Sequence, residues 1–548
     1  MKIFLFLLFF SFNLIITFRC GADSIKKEPY KVKVDKNKEK RGLSNEYTPM
    51  KFFVDYTYIN SQNPEQLPYI KNMFNKVVNY LSTLLSVIHT DVSVNETVIP
   101  SYCDIPQYDT NIANSLNTYD LIIFPMINQE IDDDTLAQAW VCLYMEDNYK
   151  PIGGVVELNP NFANDKIDSN YYLQALLMHE ISHILGFKSS YFSELGFLKT
   201  ENKTGVIKNY ISSPKVLEKA KLHFNCNNIK GIELENQGGQ GSAGSHWESR
   251  YMLGDYMMSI DYPESVISDI TLAYFEDTGY YKVNYYTGGL FRFGKNQGCS
   301  FLEQDCVYDN GQKTLFPNEF CTEEGAYFCG SSHLSRGDCY IIDYYDPIDS
   351  SFRHYSNEYL GGFRSADYCP VSYNYYDEDL ESYYYYPFNC NYGSEIYNDM
   401  GETIGNNSLC FESSLTPVGY NESYDELYSI CYRVECIRNE KKIKVYVGNS
   451  SFICPGNETI LNQPNGFNGE VKCPDYNLIC TSKIWCNELF DCIDKKSEAD
   501  LDTYYYNKQK DESKHNIFNF LKFNTFKSTI LLILSLLFIY VFIKKIIN

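Results

Sequence analysis

Basic residues and histidines are scarce in this chain. Its 548 residues include 47 lysines and arginines against 70 aspartates and glutamates, which gives a net charge of −23. A charge of this sign repels phosphate backbones, so nucleic acid is not an expected partner. No internal repeat is evident, which speaks against a repeat architecture. Only 8 histidines are present, so few positions can supply imidazole to a metal ion or to a catalytic base.

Apolar runs lie at both ends of the chain. The first, MKIFLFLLFFSFNLIITF, predicts a secretory signal peptide over residues 1–22, with an uncleaved anchor as the alternative. The second, residues 528–543, would form about 24 Å of helix at about 1.5 Å per residue. That is short for a hydrocarbon core of about 30 Å, but the flanking lysines can snorkel. We therefore expect a single-pass anchor after a stalk at 493–527, with a cytosolic tail at 544–548 and an ectodomain on the cell surface.

Cysteine, by contrast, is plentiful. The chain has 19 cysteines, and if Cys20 leaves with the signal peptide, the remaining even number could form nine disulfides, as is typical of secreted proteins. Most of them fall within residues 299–492, which we predict to be a separate Cys-rich domain of short strands and loops. Six N-x-S/T sequons are compatible with glycosylation, at Asn95, Asn202, Asn406, Asn421, Asn449 and Asn457.

The segment before residue 189 has the pattern of an α+β domain. MKFFVDYTYI (50–59), LIIFPMI (121–127) and GGVVEL (153–158) favour strands, and the apolar spacing over 69–88 favours a helix. We assign 49–188 to an N-terminal domain and 189–298 to a central domain. Residues 23–48 form a polar leader, or a short pro-segment cut after the dibasic pair Lys40-Arg41.

One motif carries recognisable chemistry. A helix predicted over 171–187 contains HEISH, in which His179 and His183 lie one turn apart on the same face. Two imidazoles so placed can bind one zinc ion. Glu180 between them is placed to take a proton from the metal's water and to pass it to a leaving amine. The motif therefore predicts one Zn²⁺ and a hydrolytic reaction with Glu180 as general base.

Zinc needs a third protein ligand, with water in the fourth place. In the compact pattern HExxHxxGxxH, Gly186 fits the glycine but Ser189 stands where the third histidine would be. His246 is the best candidate, because the surrounding GGQGSAGSHW lets the backbone approach closely. A carboxylate, Glu194 or Glu201, is the competing ligand. Four other histidines are less suited. His89 ends a predicted helix and His223 lies in one, whereas His333 and His354 lie among the later cysteines.

These motifs together resemble the leishmanolysin family of metzincin proteases. HEISHILGF followed after a long insertion by GSAGSHW is similar to the family's ligand set, and GDYMMS (254–259) to its methionine turn. The resemblance implies that His246 is the third ligand and that Met258 is the turn residue, with Met257 as the alternative. TLAYFEDTGYY (271–281), GKNQGCSFL (294–302) and GEVKCPDYNLIC (469–480) resemble later segments of the family, so the likeness spans roughly residues 50 to 492.

The resemblance implies a cell-surface zinc metalloendopeptidase that hydrolyses protein or peptide substrates. It also implies a metzincin-type N-terminal domain, a central domain and a disulfide-rich C-terminal domain, with an edge strand that pairs with the substrate backbone, for which GGVVEL is the candidate. Two alternatives are open. One is a membrane-anchored adhesin that binds host or matrix proteins and has a structural metal site. The other is a zinc enzyme acting on something other than peptides.

Overall fold

A computed structural model of the chain describes residues 19–20, 28–33, 46–92, 94, 96–112, 116–129, 131, 135–160, 170–203, 206–237, 243–260, 262, 264–285, 291–373, 389–390, 396–397, 401–405, 407–419, 426–437 and 439–480. These residues belong to one unit, Met1–Phe490, and a second unit, Asp491–Asn548, lies outside the described residues. The predicted stalk, anchor and tail therefore lie outside them, as does most of the predicted signal peptide. Among the described helices, none combines the length and the apolar composition that a membrane span requires.

The helices are numbered here in chain order. They are α1 (Thr57–Gln62), α2 (Leu67–Leu84), α3 (Ile99–Cys103), α4 (Asn170–Ile184), α5 (Ser189–Glu194), α6 (Pro214–Phe224), α7 (Ser249–Met252), α8 (Asp269–Asp277), α9 (Cys299–Glu303) and α10 (Tyr476–Ile479). Single turns of 3₁₀ helix lie at Glu96–Val98, Ser350–Phe352 and Arg364–Ala366.

The longest strands lie in two sheets of six strands each. Those of the N-terminal half are β1 (Arg19–Cys20), β2 (Tyr30–Val32), β3 (Thr48–Pro49), β4 (Phe52–Val54), β5 (Leu85–Val87), β6 (Leu121–Ile127), β7 (Thr135–Met145), β8 (Pro151–Leu158), β9 (Leu198–Lys203), β10 (Val206–Ile211), β11 (Ile232–Glu233) and β12 (Lys282–Val283). Those of the C-terminal half are β13 (Tyr327–Cys329), β14 (Arg336–Cys339), β15 (Ile342–Asp343), β16 (Leu360–Gly361), β17 (Ser372–Tyr373), β18 (Ile396–Tyr397), β19 (Thr403–Ile404), β20 (Ser408–Ser413), β21 (Thr416–Pro417), β22 (Tyr428–Ile437), β23 (Lys442–Val447), β24 (Ser450–Cys454), β25 (Thr459–Asn462), β26 (Phe467–Asn468) and β27 (Glu470–Cys473).

The N-terminal sheet positions the HEISH helix. Its order is β1-β7-β8-β6-β4, with β2 also paired to β7. β4, β6 and β8 run parallel, whereas β7 runs antiparallel to β8. A Cβ added to Gly154 of β8 would lie 2.5 Å from Cγ2 of Ile184 in α4. The glycine therefore lets the helix pack directly against the middle of the sheet.

The predicted elements of this half are present, with corrections to their extent. The helix predicted over 69–88 is α2, which ends at Leu84 because Leu85–Val87 forms β5. The strand predicted over 50–59 is limited to β4. It stops there because Asp55 Oδ1 accepts from Thr57 N–H at 2.9 Å, and α1 begins at Thr57.

The interpretation of GGVVEL as an edge strand for substrate is wrong. This segment lies within β8, which is placed between β6 and β7 and pairs with both. Its backbone groups are therefore already used within the sheet, and it cannot pair with a substrate backbone.

The C-terminal half is more regular than the sequence predicts. Its main sheet has six strands in the order β24-β23-β22-β20-β27-β25, and it covers an apolar core that includes Phe411, Tyr432 and Val445. Eight disulfides are described: Cys103–Cys142, Cys226–Cys299, Cys306–Cys369, Cys321–Cys339, Cys329–Cys410, Cys390–Cys431, Cys436–Cys480 and Cys454–Cys473. The other two cysteines of the predicted nine-disulfide set, Cys486 and Cys492, lie outside the described residues.

Candidate metal centre

Helix α4 presents two imidazoles to the same space. His179 and His183 lie one turn apart, with 4.7 Å between their ring centroids, and their Nε2 atoms are 3.0 Å apart. Met178, Ile181 and Ile184 of the same helix are fully buried, which fixes the helix in the core. Because side chains at i and i+4 share a helix face, both rings meet at one point.

His246 reaches the pair from a remote segment. The backbone of this segment pairs with β11 and the residues after it, since Glu235 N–H donates to His246 O at 2.9 Å and Glu248 N–H donates to Glu233 O at 3.0 Å. The Nε2 atom of His246 lies 3.2 Å from Nε2 of His179. The Ser189 N–H donates to Ser245 Oγ at 2.8 Å, which joins this segment to the start of α5.

The outer nitrogens of the helical pair contact backbone carbonyls. Nδ1 of His179 lies 2.7 Å from Tyr256 O, and Nδ1 of His183 lies 2.6 Å from Phe187 O. A carbonyl can only accept, so we assign the ring proton to Nδ1 in both cases. Gly186 makes the turn that brings Phe187 O to the ring, at a φ of 108° that favours glycine. The Nε2 lone pairs of His179 and His183 then face the other rings.

This donor set fits zinc. The three rings are buried, and their ligand atoms lie within 4.8 Å of one another. Burial, followed by the proximity of His246, lowers the pKa of His179 to about 3, and burial lowers the pKa of His183 well below its ordinary value. These two rings are therefore neutral and able to donate lone pairs. Zn–N bonds of about 2.0–2.1 Å in tetrahedral geometry separate the nitrogens by about 3.3 Å, close to the two distances above.

Glu180 is fully buried beside the histidines. It follows His179 directly in α4, so its position is fixed by the same helix that carries the two rings. A carboxylate adjacent to a metal water is the group that such a site needs for proton transfer.

The GDYMMS turn lies against the His246 segment. Trp247 N–H donates to Met257 O at 3.0 Å, and Trp247 and Met258 form a parallel bridge. Met257 and Met258 are both buried. The turn is held by Asp255, whose Oδ1 accepts from Met257 N–H at 2.8 Å. The carbonyl that orients His179 belongs to Tyr256 of this same turn.

The competing ligands lie elsewhere. Glu194 is exposed on α5, and Glu201 pairs with Lys230 at 3.5 Å on the β9 strand. Neither belongs to the group of metal-ligating side chains around His179 among the described residues. Three other histidines of the described residues contact other parts of the chain: His89 contacts Asp120, His223 contacts Phe293 O and His333 contacts Cys410 O.

Two further clusters have no counterpart in the sequence predictions. His354 Nε2 lies 3.5 Å from Cys306 Sγ and 3.7 Å from Cys369 Sγ, but these sulfurs form a disulfide. Glu233, Glu248 and Asp367 bring three buried carboxylates together, and Lys208 Nζ lies 2.7 Å from Glu233 Oε1. No local motif marks either cluster, because their members come from distant parts of the chain.

Comparison with known proteins identifies relatives of this chain. The family model described as Leishmanolysin (peptidase M8) matches residues 78–486. A leishmanolysin homolog of Crithidia fasciculata is 28% identical over 400 residues, covering 70% of this chain and 59% of the relative. Leishmanolysin of Leishmania tropica is 26% identical over 398 residues, covering 69% and 57%. A leishmanolysin-like peptidase of Drosophila melanogaster is 24% identical over 420 residues, covering 64% and 61%. The chain thus spans less than two thirds of these relatives' length.

Proposed function

The chain belongs to the leishmanolysin family, and from this premise we propose that it is a zinc metalloendopeptidase in which His179, His183 and His246 bind the metal. The observation that supports the ligand set is the meeting of three buried imidazoles, with Nε2 of His179 lying 3.0 Å and 3.2 Å from the other two Nε2 atoms. Lone pairs so close repel one another unless a cation lies between them.

Zinc bound there supplies Lewis acidity, which polarises a carbonyl and lowers the pKa of water to about 7. The rest of the chemistry belongs to this chain's own residues. The carboxylate of Glu180 accepts a proton from the attacking water and delivers it to the leaving nitrogen of the peptide bond. Tyr256 O and Phe187 O hold the rings of His179 and His183 in the orientation that directs Nε2 inward.

The proposal extends to the layout of the molecule. We place a metzincin-type catalytic domain at 49–188, a central domain with His246 and the Met258 turn at 189–298, and a disulfide-rich domain at 299–492. Secretion, a surface location and an anchor at 528–543 stay predictions from the sequence. No contact among the described residues favours the adhesin alternative.

Digestion of a broad protein substrate such as gelatin tests the proposed activity. The wild-type chain is expected to cut the substrate, a chelator is expected to stop the cutting, and added zinc is expected to restore it. Equal cutting with and without chelator would contradict a metal-dependent reaction. A chain that binds zinc but cuts no protein would contradict the peptidase assignment.

A further inference from the structure

Helix α8 contacts both of the segments that complete the metal centre. Thr271 on this helix is fully buried. Its Oγ1 accepts from Trp247 Nε1 at 2.8 Å and donates to Asp255 Oδ2 at 2.7 Å. Ser268 Oγ also donates to it, at 3.3 Å. One hydroxyl therefore links the residue that follows His246 to the aspartate that holds the methionine turn.

The same turn supports the other side of the metal centre. Asp255 accepts from Met257 N–H through Oδ1 and from Ser268 N–H through Oδ2, so the carboxylate ties the turn to the start of α8. Tyr256, the next residue, orients His179 through its carbonyl. If Asp255 shifted, Tyr256, whose carbonyl orients His179, and Trp247, which follows His246, would therefore both move.

A second side chain of α8 reaches the support of His183. Tyr274 lies three residues after Thr271, on the same helix face, and its hydroxyl donates to Gly186 O. Gly186 precedes Phe187, whose carbonyl orients His183. One helix thus contacts the residue after His246 and the residues next to the two carbonyls that orient His179 and His183.

We propose that Thr271 is a positioning residue of the metal centre, which acts by fixing Trp247 against Asp255. The inference rests on one part of the proposed function, namely that His179, His183 and His246 are the metal ligands. Loss of the hydroxyl removes one hydrogen-bond partner from a buried indole N–H and from a buried carboxylate oxygen. Hydrogen bonds made directly to ligating histidines typically change metal affinity by about 10- to 100-fold, and Thr271 acts on the segments next to such bonds rather than on a ligand.

The test compares variants of the full chain for the rate at which zinc passes to a chelator and for the absorption spectrum of the cobalt-substituted protein. Thr271→Val removes the hydroxyl and keeps the shape, and Thr271→Ser keeps the hydroxyl. Thr278→Val is the matched control, because the hydroxyl of Thr278, just after the end of α8, bonds to Phe275 O and Tyr280 N–H, away from the metal centre. Thr271→Ala provides a second variant without the hydroxyl if Thr271→Val does not fold.

We expect zinc release from Thr271→Val about 10-fold faster than from wild type, the lower end of the range for direct partners of ligating histidines, with a changed cobalt spectrum. Thr271→Ser and Thr278→Val should release zinc at nearly the wild-type rate. Equal release from wild type and Thr271→Val, or equal acceleration by Thr278→Val, would overturn the inference. Because neither readout uses peptide cleavage, a chain that shows this ordering but cuts no protein would refute the proposed activity alone.

Discussion

The Nε2 atoms of His179 and His246 lie 3.2 Å apart although the residues are separated by 67 positions. Their rings are nearly parallel, with an interplanar angle of 15°. The His246 segment pairs with β11 and the residues after it, and this pairing places His246 beside the two histidines of α4. The roles of the residues around this pair can be tested one at a time.

Glu180→Gln should abolish most of the activity and leave the metal in place. The amide has nearly the shape of the carboxylate but cannot accept the proton from water, so cleavage should fall by roughly 10²- to 10⁴-fold. Zinc content, measured by atomic emission, should stay at the wild-type level. A variant that still cuts at the wild-type rate would show that Glu180 is not the general base.

His246→Ala should bind zinc much more weakly than wild type, whereas Glu194→Gln and Glu201→Gln should keep the wild-type affinity for zinc. The loss should exceed the roughly 10- to 100-fold cost of removing a supporting hydrogen bond, because a direct ligand is removed. Competition with a chromophoric chelator measures the affinities. Weaker binding by Glu194→Gln or Glu201→Gln, with His246→Ala unaffected, would instead favour the carboxylate ligand.

Glu319→Gln should change how stability depends on pH. Burial raises the pKa of Glu319 from 4.5 to about 7, so between these two pH values the folded chain keeps a proton there that the unfolded chain has lost. The stabilisation from this proton is complete below about pH 4.5 and is lost as the pH rises through 7. The unfolding free energy of wild type minus that of Glu319→Gln should therefore fall between pH 4.5 and pH 8. The expected fall is at most about 3 kcal/mol, since one pKa unit corresponds to about 1.4 kcal/mol. A difference that stays constant with pH in urea titrations would contradict this.

Gly154→Ala should disturb the packing of α4 on the sheet. The new Cβ would lie 2.5 Å from Ile184 Cγ2 and 2.8 Å from the Trp140 carbonyl, so the helix has to shift. We expect a loss of about 1–3 kcal/mol in unfolding free energy. Gly153→Ala is the comparison variant and should lose less, since its Cβ would lie 2.9 Å from Leu143 Cδ1 and 3.2 Å from Leu143 Cβ and would contact no backbone atom that closely. Equal unfolding midpoints for wild type and Gly154→Ala would contradict the close contact.

The parts of the fold that have a local signal can be predicted from the sequence. The spacing of apolar residues locates α2, and the apolar run LIIFPMI locates β6. By contrast, β7 has no such signal, because TLAQAWVCLYM lacks strict alternation and such runs do not distinguish a buried strand from a helix. Every residue of Pro151–Leu158 is buried, which reflects a sheet covered on both faces but does not tell an interior strand from an edge strand, so the place of β8 between β6 and β7 has no sequence signal.

The candidate site is only partly accessible from the sequence. The HEISH spacing places two rings on one helix face, and this follows from helix geometry alone. The approach of His246 depends on a family resemblance, because a separation of 67 positions along the chain gives no distance. The link from Trp247 through Thr271 to Asp255 has no sequence signal, since it depends on hydrogen bonds between distant residues. Disulfide pairing is likewise undetermined by cysteine positions.

The zinc-edge X-ray absorption spectrum of the purified full-length chain tests the ligand set most directly. Three histidine ligands predict imidazole nitrogens at about 2.0–2.1 Å and one further light atom, without sulfur. A sulfur shell at about 2.3 Å would instead place the metal on cysteine thiolates, and would contradict the proposed centre at His179, His183 and His246.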